Sequence, residues 1–231
     1  LERAIAAVCR KVARKVAENG GKLALRKIGI SDLRELLGPQ KYRITLSEKK
    51  DEVGVVNGLA WTAAGGDVLF IEATKMPGKG SLILTGHLGQ VMQESAQAAF
   101  SYARTRAKKL GIKDAFYKNS DLHVHVPSGA IPKDGPSAGV AMTLALVSAL
   151  TGKPVRKDIA MTGEITLRGR VMEIGGVKEK VIAAHRGEIK MVLLPKENEK
   201  DMVDVPAQVK KEMKFVFVEN MDEVLKIALK S

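Results

Sequence analysis

Pro132-Lys133-Asp134-Gly135-Pro136-Ser137-Ala138-Gly139 runs directly into an apolar stretch that ends at Thr151-Gly152, and its reading decides the fold. Gly135 and Gly139 flank a sharp turn. Pro136 has its φ pre-set for a first helical turn, so the stretch predicts a helix over 136–151, stopped by Gly152. Ser137 then stands at a helix N-terminus, where unpaired backbone N–H groups and the helix dipole favour an anion. A serine so placed can attack a carbonyl while the N–H groups hold the oxyanion; one such donor is worth about 2.7–4 kcal/mol in other acyl-transfer enzymes. The same position equally suits a serine that only caps the helix.

Outward from this helix, short apolar or β-branched runs alternate with helical patterns. Strands are expected at 53–59, 67–73, 81–85 and 121–126, separated by Gly65-Gly66 and Pro77-Gly78-Lys79-Gly80 turns. A long helix is expected from Leu88 to Leu110, with Gly111 as its stop. Further strands are expected at 159–162, 164–167 and 171–174, then a helix at 177–186, strands at 191–194 and 215–218, and a helix at 221–229. Strands and helices interleave without a strict βαβ rhythm, so the fold class is α/β with a mixed sheet.

The first forty residues read differently. Leu1, Ile5, Val8, Val12 and Val16 draw one apolar helical stripe, with Arg10, Lys11, Arg14 and Lys15 on the polar side and Asn19-Gly20-Gly21 as the stop. A second helix is expected from Ser31, as its N-cap, to Leu37, before Gly38-Pro39. Two such helices cannot enclose a core, so residues 1–40 read as the tail of a helical domain and 41–231 as a separate α/β domain. Charge follows this division. Residues 1–50 carry 13 Lys/Arg against 5 Asp/Glu, a net +8 of the chain's +12. Such an excess suits a solvated helix face or a surface for an acidic partner such as DNA.

Composition excludes several classes. The chain has 231 residues, 45% apolar and 28% charged, enough to bury a core. No stretch approaches the roughly 18–20 apolar residues of a bilayer span, so no membrane partner is expected, and the N-terminus lacks a signal-peptide layout. A single cysteine, Cys9, excludes a disulfide framework and a four-cysteine zinc site, and suits a reducing, cytoplasmic setting. Aromatic residues at 4% leave little for base stacking. His123 and His125 share a strand face, but no third ligand is spaced to join them, so no metal is expected. Pro77-Gly78-Lys79-Gly80-Ser81 lacks the order of a phosphate-binding G-x-x-x-x-G-K-[ST] loop, and Ser47-Glu48-Lys49-Lys50 fits S-x-x-K only within a charged loop.

If Ser137 is a nucleophile, it needs a base. Gly135-Pro136-Ser137-Ala138-Gly139 fits the G-x-S-x-G nucleophile elbow, but that fold requires an acid and then a histidine after the serine. Only His185 follows, in a charged stretch. Lysine is the substitute. A free lysine titrates near about 10.4, and lowering that to about 7–8 takes roughly 4 kcal/mol of environmental effect, which desolvation can supply. Lys178 and Lys180 lie two apart on a helix, so only one can face the core. Val177 and Ala184 flank Lys180 on its own face and favour it; two surface lysines are the alternative reading.

Taken together, these residues resemble the proteolytic domain of the Lon family of ATP-dependent proteases. The resemblance covers about residues 42–230. It runs through Pro132–Gly139, Met161-Thr162-Gly163-Glu164-Ile165-Thr166-Leu167-Arg168-Gly169, Ile174-Gly175-Gly176-Val177-Lys178-Glu179-Lys180, and Ala183-Ala184-His185-Arg186-Gly187. Gly58-Leu59-Ala60-Trp61-Thr62, Pro77-Gly78-Lys79-Gly80 and Val91-Met92-Gln93-Glu94-Ser95 also fit. Pro136 and Gly139 resemble the bacterial and organellar type, and residues 1–40 resemble the end of the helical subdomain of that family's AAA+ module.

The resemblance implies a Ser–Lys dyad, with Ser137 as nucleophile and Lys180 as general base. It implies that Thr162 holds the lysine, that Asp134 lies beside the oxyanion region and can block or open the site, and that Ala138 supports it. It implies that Leu59, Ala60 and Trp61 form an edge to which an extended substrate adds as a strand; Trp61 also suits a core position. Further implications are a hexameric ring enclosing the sites, unfolded polypeptide substrates, and ATP and Mg on an ATPase part outside this chain, which itself needs no cofactor. Two rivals come from other classes: a nucleic-acid-binding module carried by residues 1–50, and a catalytically silent assembly domain.

Overall fold

A computed structural model describes residues 2–20, 27–39, 50–62, 65–112, 116–127 and 133–230. Leu1, Gly21, Pro132 and the stretch 47–49, named above, lie outside the described residues. The chain divides into a unit over 1–44 and a unit over 45–231.

The first unit holds α1 (Glu2–Glu18) and α2 (Ile30–Leu37). No residue of α1 is buried and Ile5 is half exposed, so its apolar stripe is largely open. Two of its cations are ion-paired, Arg14 to Glu18 and Lys15 to Glu35. The N-cap of α2 is Gly29 rather than Ser31. Asp32 Oδ2 accepts the Gly29 N–H at 2.8 Å, and this three-residue reach-back sets the helix start ahead of the serine.

The second unit begins with β1 (Glu52–Val53), β2 (Val55–Thr62), β3 (Gly65–Pro77) and β4 (Leu82–Thr85). Then come α3 (Gln90–Thr105), α4 (Phe116–Asn119), β5 (Ser120–His125), a 3₁₀ turn at Pro136–Ala138 and α5 (Gly139–Thr151). Short strands β6 (Pro154–Val155), β7 (Ile159–Met161), β8 (Glu164–Ile165) and β9 (Val171–Met172) lead to α6 (Val177–Arg186). The chain closes with β10 (Met191–Pro195), a 3₁₀ stretch at Lys196–Asp204, α7 (Ala207–Glu212), β11 (Lys214–Val218) and α8 (Met221–Ala228). The main sheet has seven strands in the order β11-β10-β7-β2-β3-β5-β4. It is mixed: β2 and β7 run parallel, while β2 with β3 and β3 with β5 run antiparallel.

Strand alternation sends side chains to two cores. On one face Val56, Ile71, Leu122, Ile159, Met161 and Leu193 pack with α3, α5 and α8. On the other Leu59, Val68, Ala160, Val192 and Leu194 pack with α6 and α7. In α5 every residue but Ala149 and Thr151 is buried, which is why its sequence is apolar all round.

Several boundaries differ from the sequence expectations. The 88–110 helix is shorter, because His87 has a positive φ and Leu88 bridges Lys133, leaving Gly89 as N-cap. Its far end leaves α geometry at Arg106, and Gly111 (φ 70°) completes a later turn in which Ile112 N–H donates to Ala107 O at 2.9 Å. Gly65 and Gly66 are paired strand residues, opposite Thr62 and Trp61. β3 runs on to Pro77, and α4, α7, β6 and the 196–204 turns carried no period long enough to read.

His123 and His125 both hydrogen-bond Thr85 Oγ1, at 2.8 and 2.7 Å. Among the described residues no group of three or more His, Cys, Asp or Glu could hold a metal ion, and no helix is long and apolar enough to cross a membrane.

Gly54, between β1 and β2, has φ 79°, and a Cβ there would stand 2.1 Å from Ala73 O. Gly54→Ala is expected to cost about 3 kcal/mol through left-handed strain and a backbone clash. Urea unfolding checks this; a loss under about 1 kcal/mol would contradict it.

Candidate active site

Ser137 lies in the 3₁₀ turn ahead of α5 and not in the α-helix itself, a correction to the 136–151 helix. The cause is local. The Ser137 carbonyl accepts two hydrogen bonds from the next structural layer, from Gly163 N–H at 2.9 Å and from Thr162 Oγ1 at 3.1 Å. Val140 N–H in turn donates to Gly163 O at 3.1 Å. The serine's backbone is thus tied to the segment leaving β7 rather than to its own helix. Gly163 is tightly held: a Cβ would approach Val140 Cγ2 and Val171 Cγ1 to 2.8 and 2.9 Å.

Thr162 and Lys180 complete the cluster. Thr162 is 1% exposed and Lys180 3%. Lys180 Nζ donates to Thr162 Oγ1 at 3.2 Å, so a continuous path runs Lys180–Thr162–Ser137 carbonyl. The Ser137 hydroxyl is not one of the lysine's hydrogen-bond partners among the described residues; the link passes through the threonine. Burial lowers the Lys180 pKa from 10.5 to about 8. Lys178, by contrast, is exposed, as the helix-face argument requires. His185 is paired with Glu212 at 2.6 Å, and the segment before Ser137 is a turn, not the strand of a nucleophile elbow.

Asp134 is exposed and ties this segment to α3. Its Oδ1 accepts N–H groups from Met92 at 3.0 Å and Gly135 at 2.9 Å, capping α3 from outside. Gly89 leaves room for it, since a Cβ there would meet Asp134 Cγ at 2.3 Å. Ser95 Oγ donates to Pro136 O at 3.3 Å, and Gly139 must stay bare because a Cβ would press Ser95 Oγ and Ile165. Ala138 is buried beneath the turn. Burial also lowers the Lys133 pKa, and its Nζ donates to Gly86 O at 3.2 Å.

Leu59 is buried in the second core, Ala60 is half-buried and Trp61 is 62% exposed. Trp61 is therefore not a core residue. Pairing of β2 with β7 stops at Gly58–Met161, while pairing with β3 continues to Thr62–Gly65. Beyond Gly58 that outer edge of β2 has no strand partner among the described residues. Sequence reasoning gave no site role to Gly163, Ser95, Gly89 or Gly66. The glycines left a signal, since isolated glycines in strands and turns often mark close backbone approach.

A turn-borne serine linked through a threonine to a buried lysine suits the chemistry of a serine-type peptidase, and the family match gives the same class. Residues 27–231 match the family described as Lon protease (S16) C-terminal proteolytic domain, and the chain belongs to that family. It is 60% identical over 230 residues to the Lon protease of Anaeromyxobacter dehalogenans, covering 99% of this chain and 27% of that protein. It is 56% identical over 230 residues to that of Dictyoglomus thermophilum (99% and 29%) and 60% identical over 234 residues to that of Solibacter usitatus (99% and 29%). The chain thus spans less than a third of the length of these relatives.

Burial of Lys180 has a stability consequence with a definite sign. The amine titrates near 8 folded and near about 10.4 unfolded, so below pH 8 both states bind the proton and the folded state bears the full cost. That cost fades as pH rises from 8 towards 10.4. Lys180→Met removes it and is expected to gain about 1–3 kcal/mol, raising the melting temperature at pH 7 by about 2–10 °C, with a smaller gain at pH 10. A melting temperature at or below wild type at pH 7 would count against the buried amine.

Proposed function

We propose that this chain hydrolyses peptide bonds through an acyl-enzyme formed on Ser137 with Lys180 as general base. The observation that carries the reading is the buried Lys180 amine, hydrogen-bonded through Thr162 Oγ1 to the backbone of Ser137. The neutral amine accepts the hydroxyl proton while Oγ forms a bond to the scissile carbonyl carbon. The tetrahedral intermediate expels the amine half of the peptide, which takes the proton back from the ammonium. A water then gives a proton to Nζ, attacks the ester, and Ser137 recovers its hydrogen. Backbone N–H groups of Ser137 and Ala138, in the first turn where intrahelical partners are lacking, support the role of oxyanion donors. The Thr162 contact holds the amine in place between turnovers. It moves to Oγ as substrate tightens the site, in keeping with the looser geometry of unliganded enzymes. The hydrogen bonds of Asp134 to Met92 and Gly135, at the junction of the serine turn and α3, support a role in setting whether that turn is open.

The unpaired edge at Leu59–Trp61 supports addition of an extended, unfolded polypeptide as an extra strand. We further propose that the chain is the peptidase part of a larger ATP-dependent quality-control protease of the cytoplasm. Residues 1–40 would then be the end of an AAA+ helical subdomain, ATP and Mg would belong to the ATPase part, and the whole would assemble as a hexamer. The family and the named relatives support this reading, and the chain itself carries no phosphate-binding loop. The nucleic-acid module is not favoured as the main function. DNA contact is proposed only as an accessory property of residues 1–50, resting on the exposed Arg10 and Lys11 of α1.

Ser137→Ala and Lys180→Gln are each expected to lower hydrolysis of a fluorogenic peptide by at least about 10²-fold while the fold is retained. The wild-type rate is expected to rise with pH and level off above about 8, as the amine loses its proton. A peptide boronate should attach to Ser137. Unchanged turnover in folded Lys180→Gln, or a rate that falls between pH 6 and 8, would refute the dyad.

A further inference from the structure

We propose that Arg186 is a positioning residue: it latches the β2–β3 hairpin onto α6, so that the strand edge offered to substrate and the helix carrying Lys180 act as one mechanical piece. This inference rests on the peptidase reading above.

Three contacts run along α6. At its N-cap, Gly176 (φ 70°) lies against Trp61, whose Cβ and Cγ would stand 3.0 Å from a Cβ on that glycine. In its first turn the backbone passes directly under Gly66, where a Cβ would stand 2.0 Å from Glu179 O and 3.0 Å from Lys180 N. At its last residue Arg186 Nη2 donates to Gly66 O at 2.6 Å, a charge-assisted bond from a donor itself exposed. The first two are close approaches without a directional bond. Arg186 alone supplies one.

The sheet does not require this bond. β2 and β3 already pair through Thr62–Gly65, and their apolar residues are anchored in both cores. What the bond adds is a directional tie that holds the hairpin end where Gly66 already lies beside the backbone of Glu179 and Lys180. The dry setting of the lysine depends on the hairpin lying flat there. The residues that flank the substrate edge, Trp61 and Gly66, are the same ones that touch α6. Loosening the latch therefore has two effects at once: the edge becomes less ordered, and water gains a route to the amine. A residue that only stabilised the fold would change neither the Michaelis constant nor the pH midpoint of an intact enzyme.

The test compares Arg186→Gln, Arg186→Lys and Gly66→Ala with wild type, using an extended fluorogenic peptide across pH 6–10. In Arg186→Gln, KM is expected to rise about 3–10-fold and the midpoint of the kcat profile to move upward by at least half a pH unit. Arg186→Lys should recover most of both. Gly66→Ala, which forces the hairpin off Glu179 O, should show the same two changes more strongly. Arg186→Gln with wild-type KM and midpoint overturns the proposal, as does a KM change with an unmoved midpoint. If Arg186→Gln does not fold, the same two parameters read in Gly66→Ala decide, and wild-type values there overturn it. Failure of the peptidase reading looks different: wild type would show no hydrolysis abolished by Ser137→Ala.

Discussion

Desolvation of one amine is the constraint around which this structure is organised. Lysine is among the residues least often buried, and an uncharged amine exists near neutral pH only where the surroundings penalise the ammonium. Lys180 meets that condition on α6, between Val177 and Val181, with the start of β3 over its backbone and a single hydroxyl, Thr162 Oγ1, as its hydrogen-bond partner. No carboxylate pairs with it among the described residues. A neighbouring acid would restore the ammonium and raise the pKa again, so the apolar setting and the neutral partner are one requirement.

The serine is held by a different device. Its carbonyl is drawn to Gly163 and Thr162, which follow β7, and its turn leads into α5, the most buried helix of the fold. Backbone and base are therefore fixed by separate layers that meet at Thr162. One face of the sheet packs α5 and the other packs α6, and β7 with the residues after it passes between them. Thr162 touches both because it sits where β7, an interior strand, ends. A threonine hydroxyl, with one donor and two acceptor sites, can serve both contacts at once: it donates to the Ser137 carbonyl and accepts from Lys180 Nζ.

Much of this could be read from the chain. The all-apolar run of α5 between Pro136 and Gly152 and the alternation of short strands specify a mixed α/β unit. Lys180 was distinguishable from Lys178 because two positions on a helix differ by about 200° and only one faces Val177 and Ala184. The failures have physical causes. Ser31 has the better intrinsic cap chemistry, but Asp32 reaches back to Gly29 and the reciprocal pair wins. The 3₁₀ start at Ser137 comes from hydrogen bonds to residues 162–163, which no local pattern encodes. Trp61 is exposed because β7 ends before it, a fact of strand length and not of residue type. Arg186 sits in a charged stretch where its only local signal is a cation in the last turn of a helix; its partner, Gly66, lies 120 residues away.

Placing Ser137 and Lys180, the proposed nucleophile and base, on different layers has a consequence for how such a site could be regulated. A base paired to its serine by a permanent short hydrogen bond would be fixed wherever the fold is intact. Here the amine is satisfied by a threonine, and under the proposed latch its basicity would depend on how well a surface hairpin covers its helix. The covering element is also the one with an unpaired strand edge. An occupant of that edge would add main-chain hydrogen bonds to β2, order the hairpin and improve the exclusion of water from Lys180, favouring its neutral form. If the proposed latch holds, binding at the edge and basicity at the amine would be thermodynamically linked, each strengthening the other by the same factor. Under the proposed peptidase function such a linkage would favour a chain able to lie extended along β2, because only that occupant supplies the ordering that readies the base.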